Sequence, residues 1–122
     1  MTLTAALIIV GRFLLGLMFI IAGVRNFTRL KERYALKTSY GFVLPPPAII
    51  AGFAVQLIGG ISVAFGLLPL WGALALIAFL ILATTFYHNA LMFTGKEREP
   101  HIYPITVNLA LTGAFLLVIA LS

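Results

Sequence analysis

Four long apolar stretches, about residues 5–24, 48–68, 71–93 and 105–121, take up most of this 122-residue chain and hold one Lys, Arg, Asp or Glu side chain between them, Arg12. A helix needs about 20 apolar residues to cross the roughly 30 Å hydrocarbon core of a bilayer, so each stretch is long enough to span it. With 62% of residues hydrophobic and 9% charged, the chain has more apolar surface than a soluble domain of this length can bury. The expected fold is therefore an all-α membrane protein, a four-transmembrane-helix bundle forming a single domain over residues 1–122. No length is left for a soluble catalytic domain. The first stretch exceeds the roughly 7–15 apolar residues of a signal-peptide core and is expected to be retained.

The connections carry the punctuation. Between Arg25 and Pro47 the basic residues Arg25, Arg29, Lys31, Arg33 and Lys37 face one acid, Glu32, while Phe27, Leu30 and Tyr34 recur at helical spacing. That pattern predicts a short interfacial helix lying on the membrane surface between the first and second spans. Pro45, Pro46 and Pro47 end this connection and suit the first turn of the next helix. Pro69 marks a charge-free hairpin, making the second and third spans antiparallel neighbours, and Trp71 sits where an aromatic ring marks the interface. Thr94–Pro104 is a second polar connection, with Lys96, Glu97, Arg98, Glu99 and His101. Seven of the eight basic residues thus fall in the two polar connections, so the positive-inside rule predicts a multi-pass cell-membrane protein with segments 25–47 and 94–104 cytoplasmic and both termini outside.

A net charge of +5 would point to nucleic acid in a soluble protein, but here the basic residues flank apolar spans, where anionic headgroups are the natural partner. No nucleic acid is expected. The absence of cysteine excludes disulfides, thiol catalysis and iron–sulfur ligation by this chain. Two histidines and three glutamates offer no spacing for a tetrahedral metal set, so no metal is expected. No Ser–His–acid constellation or glycine-rich nucleotide loop can be drawn.

Within lipid, helices associate by close approach at small residues, and the glycines are spaced to provide it. Gly52, Gly59 and Gly66 recur every seven residues on the second span, and Gly16 and Gly23 do so on the first, predicting two small-residue stripes that face each other. Arg12 lies four residues before Gly16 and so on the same side of its helix. Gln56 lies between Gly52 and Gly59, and counting from the basic end of the bundle the two polar side chains come within about 6 Å in depth. An unpaired charge at mid-bilayer costs about 2.5 kcal/mol or more. Arg12 must therefore find carbonyls, Gln56, water, a phosphate or an anionic ligand inside the bundle, or else snorkel to the outer interface. A second polar group gathers toward the basic end. Thr84, Thr85 and His88 share one face of the third span, and Asn108 with Thr112 share one face of the fourth. His88 could carry a proton or bond a ligand carbonyl, or serve with Asn89 as interhelical hydrogen-bond glue.

In order along the chain, Gly11-Arg12-Phe13-Leu14-Leu15-Gly16-Leu17-Met18-Phe19-Ile20 with Ala22-Gly23, Leu44-Pro45, Gln56-Leu57-Ile58-Gly59-Gly60, Gly66-Leu67-Leu68, Ala83-Thr84-Thr85-Phe86-Tyr87-His88-Asn89 and Asn108-Leu109-Ala110-Leu111-Thr112-Gly113 resemble the DoxX family of small membrane proteins. Each motif alone is weak, but their order covers nearly the whole chain. The resemblance implies a four-helix membrane fold and an association with membrane redox systems, including a thiosulfate:quinone oxidoreductase and a complex of oxidative-stress defence. It also implies departures: a glutamate where this chain has Gln56, a lysine where it has Asn26, and another lysine where it has Val107. Relatives also place basic residues at the N-terminus and second hairpin, which favours the opposite topology to that of the charge rule.

Three functions follow as alternatives. The first is an accessory or anchoring subunit of a membrane redox-associated complex, without independent catalysis, held to a protein partner or to further copies of itself in the bilayer. The second is a quinone- or small-ligand-binding oxidoreductase subunit whose intramembrane site is lined by Arg12, Gln56, His88 and Asn108. The third is a small transporter or channel built as an oligomer, for which no inverted repeat or broken helix is evident.

Overall fold

The computed structural model describes residues 1–122 and is built of helices. α1 (Leu3–Thr28) starts where the hydroxyl of extended Thr2 accepts the backbone N–H of Ala5 at 3.1 Å, a side-chain N-cap. It runs past Val24 to Thr28, and after a break at Arg29 the chain makes one further turn and a half as α2 (Leu30–Tyr34). The short helix expected between the first and second spans is therefore present, but it covers five residues and not the whole basic segment. Segment 35–45 is irregular. Thr38 N–H donates to the Phe42 carbonyl at 2.8 Å, the Thr38 hydroxyl accepts from Tyr40 N–H at 3.3 Å, and Gly41 takes a positive φ of 90°. Threonine, serine and glycine favour such local turns over a continued helix. Phe27 packs edge-on against Phe53, with ring centroids 6.0 Å apart, and so lies against the second span.

α3 (Pro46–Phe65) begins with prolines whose missing N–H groups would have no helical acceptor in the first turn. It ends at Phe65, three residues before the expected Leu68, and is capped by Gly66, which adopts φ 67° while Leu67 N–H returns to the Ser62 carbonyl at 2.9 Å. This is a glycine C-cap, and only a residue without Cβ takes that conformation cheaply. Ser62 Oγ donates to the carbonyls of Leu67 and Leu68, tying down the charge-free turn that leads into α4 (Pro69–Tyr87). Leu68 itself stands at φ 52°, a left-handed conformation unusual for a leucine.

α4 stops at Tyr87, short of the expected Phe93. Single 3-10 turns at Ala90–Met92 and Gly95–Glu97 follow, and α5 (Glu99–Ala120) begins well before the expected Ile105. Pro104, read from sequence as a boundary, lies inside α5. Near the helix start its lacking N–H forfeits one intrahelical bond.

Four helices are long and apolar enough to cross a membrane. They pack in chain order, α1 on α3, α3 on α4 and α4 on α5, while α1 and α5 approach mainly through Phe19 and Phe115, edge to face at 5.3 Å. The core holds Phe19, Val63, Ala73, Leu76, Leu80, Phe115 and Val118. Outside it, Leu14, Ile58, Trp71 and Leu109 are each at least 60% exposed. Such a surface is stable only against acyl chains, so this is an integral membrane protein. The loop from α2 docks on the α4 end, where Ser39 N–H donates to the Phe86 carbonyl and Ser39 Oγ accepts from Asn89 N–H at 3.3 Å. Both basic connections thus occupy one end of the bundle, with the hairpin and the termini at the other.

Candidate functional site

The register of the bundle is set at glycine. A Cβ added to Gly16 would lie 2.5 Å from the Gly60 carbonyl oxygen and 2.6 Å from Ala64 Cβ, and one added to Gly23 would lie 3.0 Å from Leu57 Cβ. α1 therefore rests on a row of Leu57, Gly60 and Ala64. The expected pairing of the Gly16/Gly23 stripe with Gly52, Gly59 and Gly66 needs correction. Gly59 faces α4, where a Cβ would lie 2.8 Å from Leu76 Cγ and 3.4 Å from the Gly72 carbonyl; Gly66 faces the Arg12 side chain; Gly52 has nothing within 4 Å. The reason is that α3 is sandwiched and needs two small-residue faces. Adjacent Gly59 and Gly60 point about 100° apart and admit α4 and α1 respectively.

This register separates Arg12 from Gln56. Arg12 turns toward the bundle: its Nε is buried without a hydrogen-bond partner, and its guanidinium lies over Gly66, where a Cβ would be 3.2 Å from Nη2. It is thus beside the carbonyl end of α3, the negative pole of that helix. Gln56 is ten residues back along α3, about 15 Å by helical rise, so the depth match expected from sequence is not realised. That expectation ended α1 at Val24 and assumed flush helix ends, whereas α1 continues to Thr28 and α3 slides past it.

Gln56, 6% exposed, has another partner. Its Oε1 accepts from Asn26 Nδ2 at 2.8 Å, and Asn26 Oδ1 accepts from Arg33 Nε at 2.9 Å. One chain of hydrogen bonds therefore ties α3 to the last turns of α1 and to α2. Asn26 was not picked out as a site residue in the sequence. Its signal was available, because Asn26 and Gln56 are two of the three positions at which the family resemblance implies ionisable side chains.

His88 and Asn108 serve elsewhere. His88 caps α4, with Nδ1 3.4 Å from Nδ1 of His101 in the first turn of α5, and His101 stacks on Phe93 at 4.7 Å. His88 is therefore beyond the helical face it was expected to share with Thr84 and Thr85. Asn108 Nδ2 donates to Thr84 Oγ1 at 2.9 Å, joining α5 to α4, and Thr112 Oγ1 donates to the Asn108 carbonyl at 2.8 Å. Arg98 Nε donates to the carbonyls of Ala90 and Phe93 at 3.0 and 2.9 Å, closing the loop between α4 and α5. Thr84, Asn89, Arg98 and Ile102 border an open pocket of about 500 Å³ at this end. Arg12 lies at the opposite end, so the four polar residues singled out in the sequence do not line one cavity.

Neither the comparison with curated proteins nor that with solved structures gives a match. A family model described as DoxX matches residues 7–89, from the second turn of α1 to just beyond α4, which includes Arg12, Asn26, Gln56 and His88 and leaves out Asn108. With well over half of the chain matched, and a fold of four membrane-length helices, the protein belongs to the DoxX family.

Proposed function

We propose that this DoxX-family chain is an accessory or anchoring subunit of a membrane redox-associated assembly, working through a protein partner in the bilayer and not through chemistry of its own. The observation that carries this reading is the Asn26–Gln56 hydrogen bond at 2.8 Å between α1 and α3. At these two positions the family resemblance implies a lysine and a glutamate, a pair able to exchange or relay a proton. Here two neutral amides face each other, and neither titrates. The contact keeps its geometric role, clamping two helices with a hydrogen bond worth about 0.6 kcal/mol on average in membranes, while its acid–base capacity is gone.

The redox setting comes from the family association, and the exposed apolar helix faces supply surface for a partner within the bilayer. The basic connections, on one end of the bundle, belong on the cytoplasmic side under the positive-inside rule, with the termini opposite. Extraction of native membranes in mild detergent, followed by identification of co-purifying proteins, tests the reading. The expected result is co-purification with a redox enzyme whose assembled form declines when this chain is deleted. A purified chain that reduces or oxidises a quinone by itself, with the enzymes of the membrane intact in its absence, would overturn it.

A further inference from the structure

The end of the bundle opposite the basic loops has a feature that the accessory role does not use. Between the first turns of α1 and the last turns of α5 lies an open groove of about 430 Å³, walled by Leu7, Ile8, Leu15, Leu117 and Leu121. Arg12 lines it. Its Nε is buried and bonded to nothing, and its guanidinium is held against Gly66, at the point where α3 ends. Glu32, Glu97 and Glu99, the only acids in the chain, all belong to the connections at the other end. No Asp or Glu side chain can therefore neutralise this cation.

We propose that this groove binds an acidic phospholipid, with a hydrocarbon chain along the α1–α5 walls and the headgroup anion on the Arg12 guanidinium. Charge complementarity selects the occupant. An apolar wall calls for a hydrocarbon, and an unpaired guanidinium calls for an anion, whose oxygens its planar fork of donors can engage in paired charge-assisted hydrogen bonds. Position favours a lipid over a wholly buried ligand. Because α3 and α4 meet in a turn at the level of Arg12, a headgroup arriving from that side reaches the guanidinium without crossing the middle of the bundle. The inference is independent of the accessory role.

Gly11 supplies the discriminating variant. It borders the groove, and a Cβ there has nothing within 4 Å, so Gly11→Leu fits α1 while filling the space next to an intact Arg12. The intact chain is reconstituted in nanodiscs containing equal phosphatidylglycerol and phosphatidylcholine, released, and weighed with its retained lipid by native mass spectrometry. The wild type is expected to keep phosphatidylglycerol in preference to phosphatidylcholine. Arg12→Gln should lose that preference at least tenfold, Arg12→Lys should keep part of it, and Gly11→Leu should lose the lipid while eluting as a folded protein. Four results would each overturn the proposal. These are equal retention of the two lipids, unchanged retention by Gly11→Leu, retention of an added uncharged quinone in place of phosphatidylglycerol, and replacement of phosphatidylglycerol by added inorganic phosphate alone. A change in oligomer size in Gly11→Leu with lipid retention unaltered would also overturn it, assigning the groove to a second copy.

Discussion

Replacing Gly16 by alanine tests the closest helix contact in the protein. The added methyl would sit 2.6 Å from Ala64 Cβ and 2.5 Å from the Gly60 carbonyl oxygen, against an ordinary carbon–carbon separation of about 3.5–4.0 Å. Because the obstructing atoms belong to backbone and Cβ, no flexible side chain can swing aside, and α1 must move about 1 Å off α3. A gap of about 0.5–1 Å forfeits a quarter to a half of each dispersion contact along the interface. Overpacking of this kind costs about 1–3 kcal/mol, and the backbone obstruction places Gly16→Ala near the upper figure. Against this stands the roughly 1 kcal/mol by which alanine is the better helix former. A net destabilisation of about 2 kcal/mol follows. Gly52→Ala is the matched control, because its Cβ meets nothing within 4 Å and only the propensity gain remains. The two variants should differ by about 3 kcal/mol, or on the order of a hundredfold in the unfolding constant. Equilibrium unfolding in mixed micelles of mild detergent and SDS reads this directly. If Gly16→Ala unfolds at the same SDS fraction as Gly52→Ala, α1 does not rest on Gly60 and Ala64, and the register derived from that contact fails.

Asn26→Ala and Gln56→Ala should each destabilise by about 1 kcal/mol, and the double variant by less than their sum, since one hydrogen bond joins them; strict additivity in the same titration would disprove the clamp. The pair Asn26→Lys with Gln56→Glu should restore stability that either single change loses, because the charges are opposite and in reach. Leu68→Gly should raise the thermal midpoint in detergent slightly and Leu68→Val should lower it, as the φ of 52° disfavours a branched side chain most. Arg98→Met frees the Ala90 and Phe93 carbonyls and should speed tryptic cleavage at Lys96 several-fold, while unchanged cleavage would show that Arg98 does not hold the loop.

The four spans were legible because lipid imposes a length of apolar sequence that little else requires, and the hairpin because Pro69 follows a glycine and two leucines without a charge. The side of α1 on which Arg12 lies could likewise be read from its spacing to Gly16. The vertical offset of α1 against α3 could not. Glycines seven apart define a face of a helix but say nothing of how far one helix slides along its neighbour, and that slide puts Asn26, not Arg12, beside Gln56. The end of α4 was hidden because Ala90, Leu91, Met92 and Phe93 prolong the apolar run after the helix has stopped. The start of α5 was hidden because Pro104 imitates a boundary. His88 and His101, thirteen residues apart, come together only through that loop, so no periodicity announced the pair.

The packing order has a bearing on how the molecule is made. Each span lies on the one synthesised just before it, and the last helix meets the first mainly through Phe19 and Phe115. A ribosome delivering helices singly into the bilayer would therefore never leave one waiting for a distant mate.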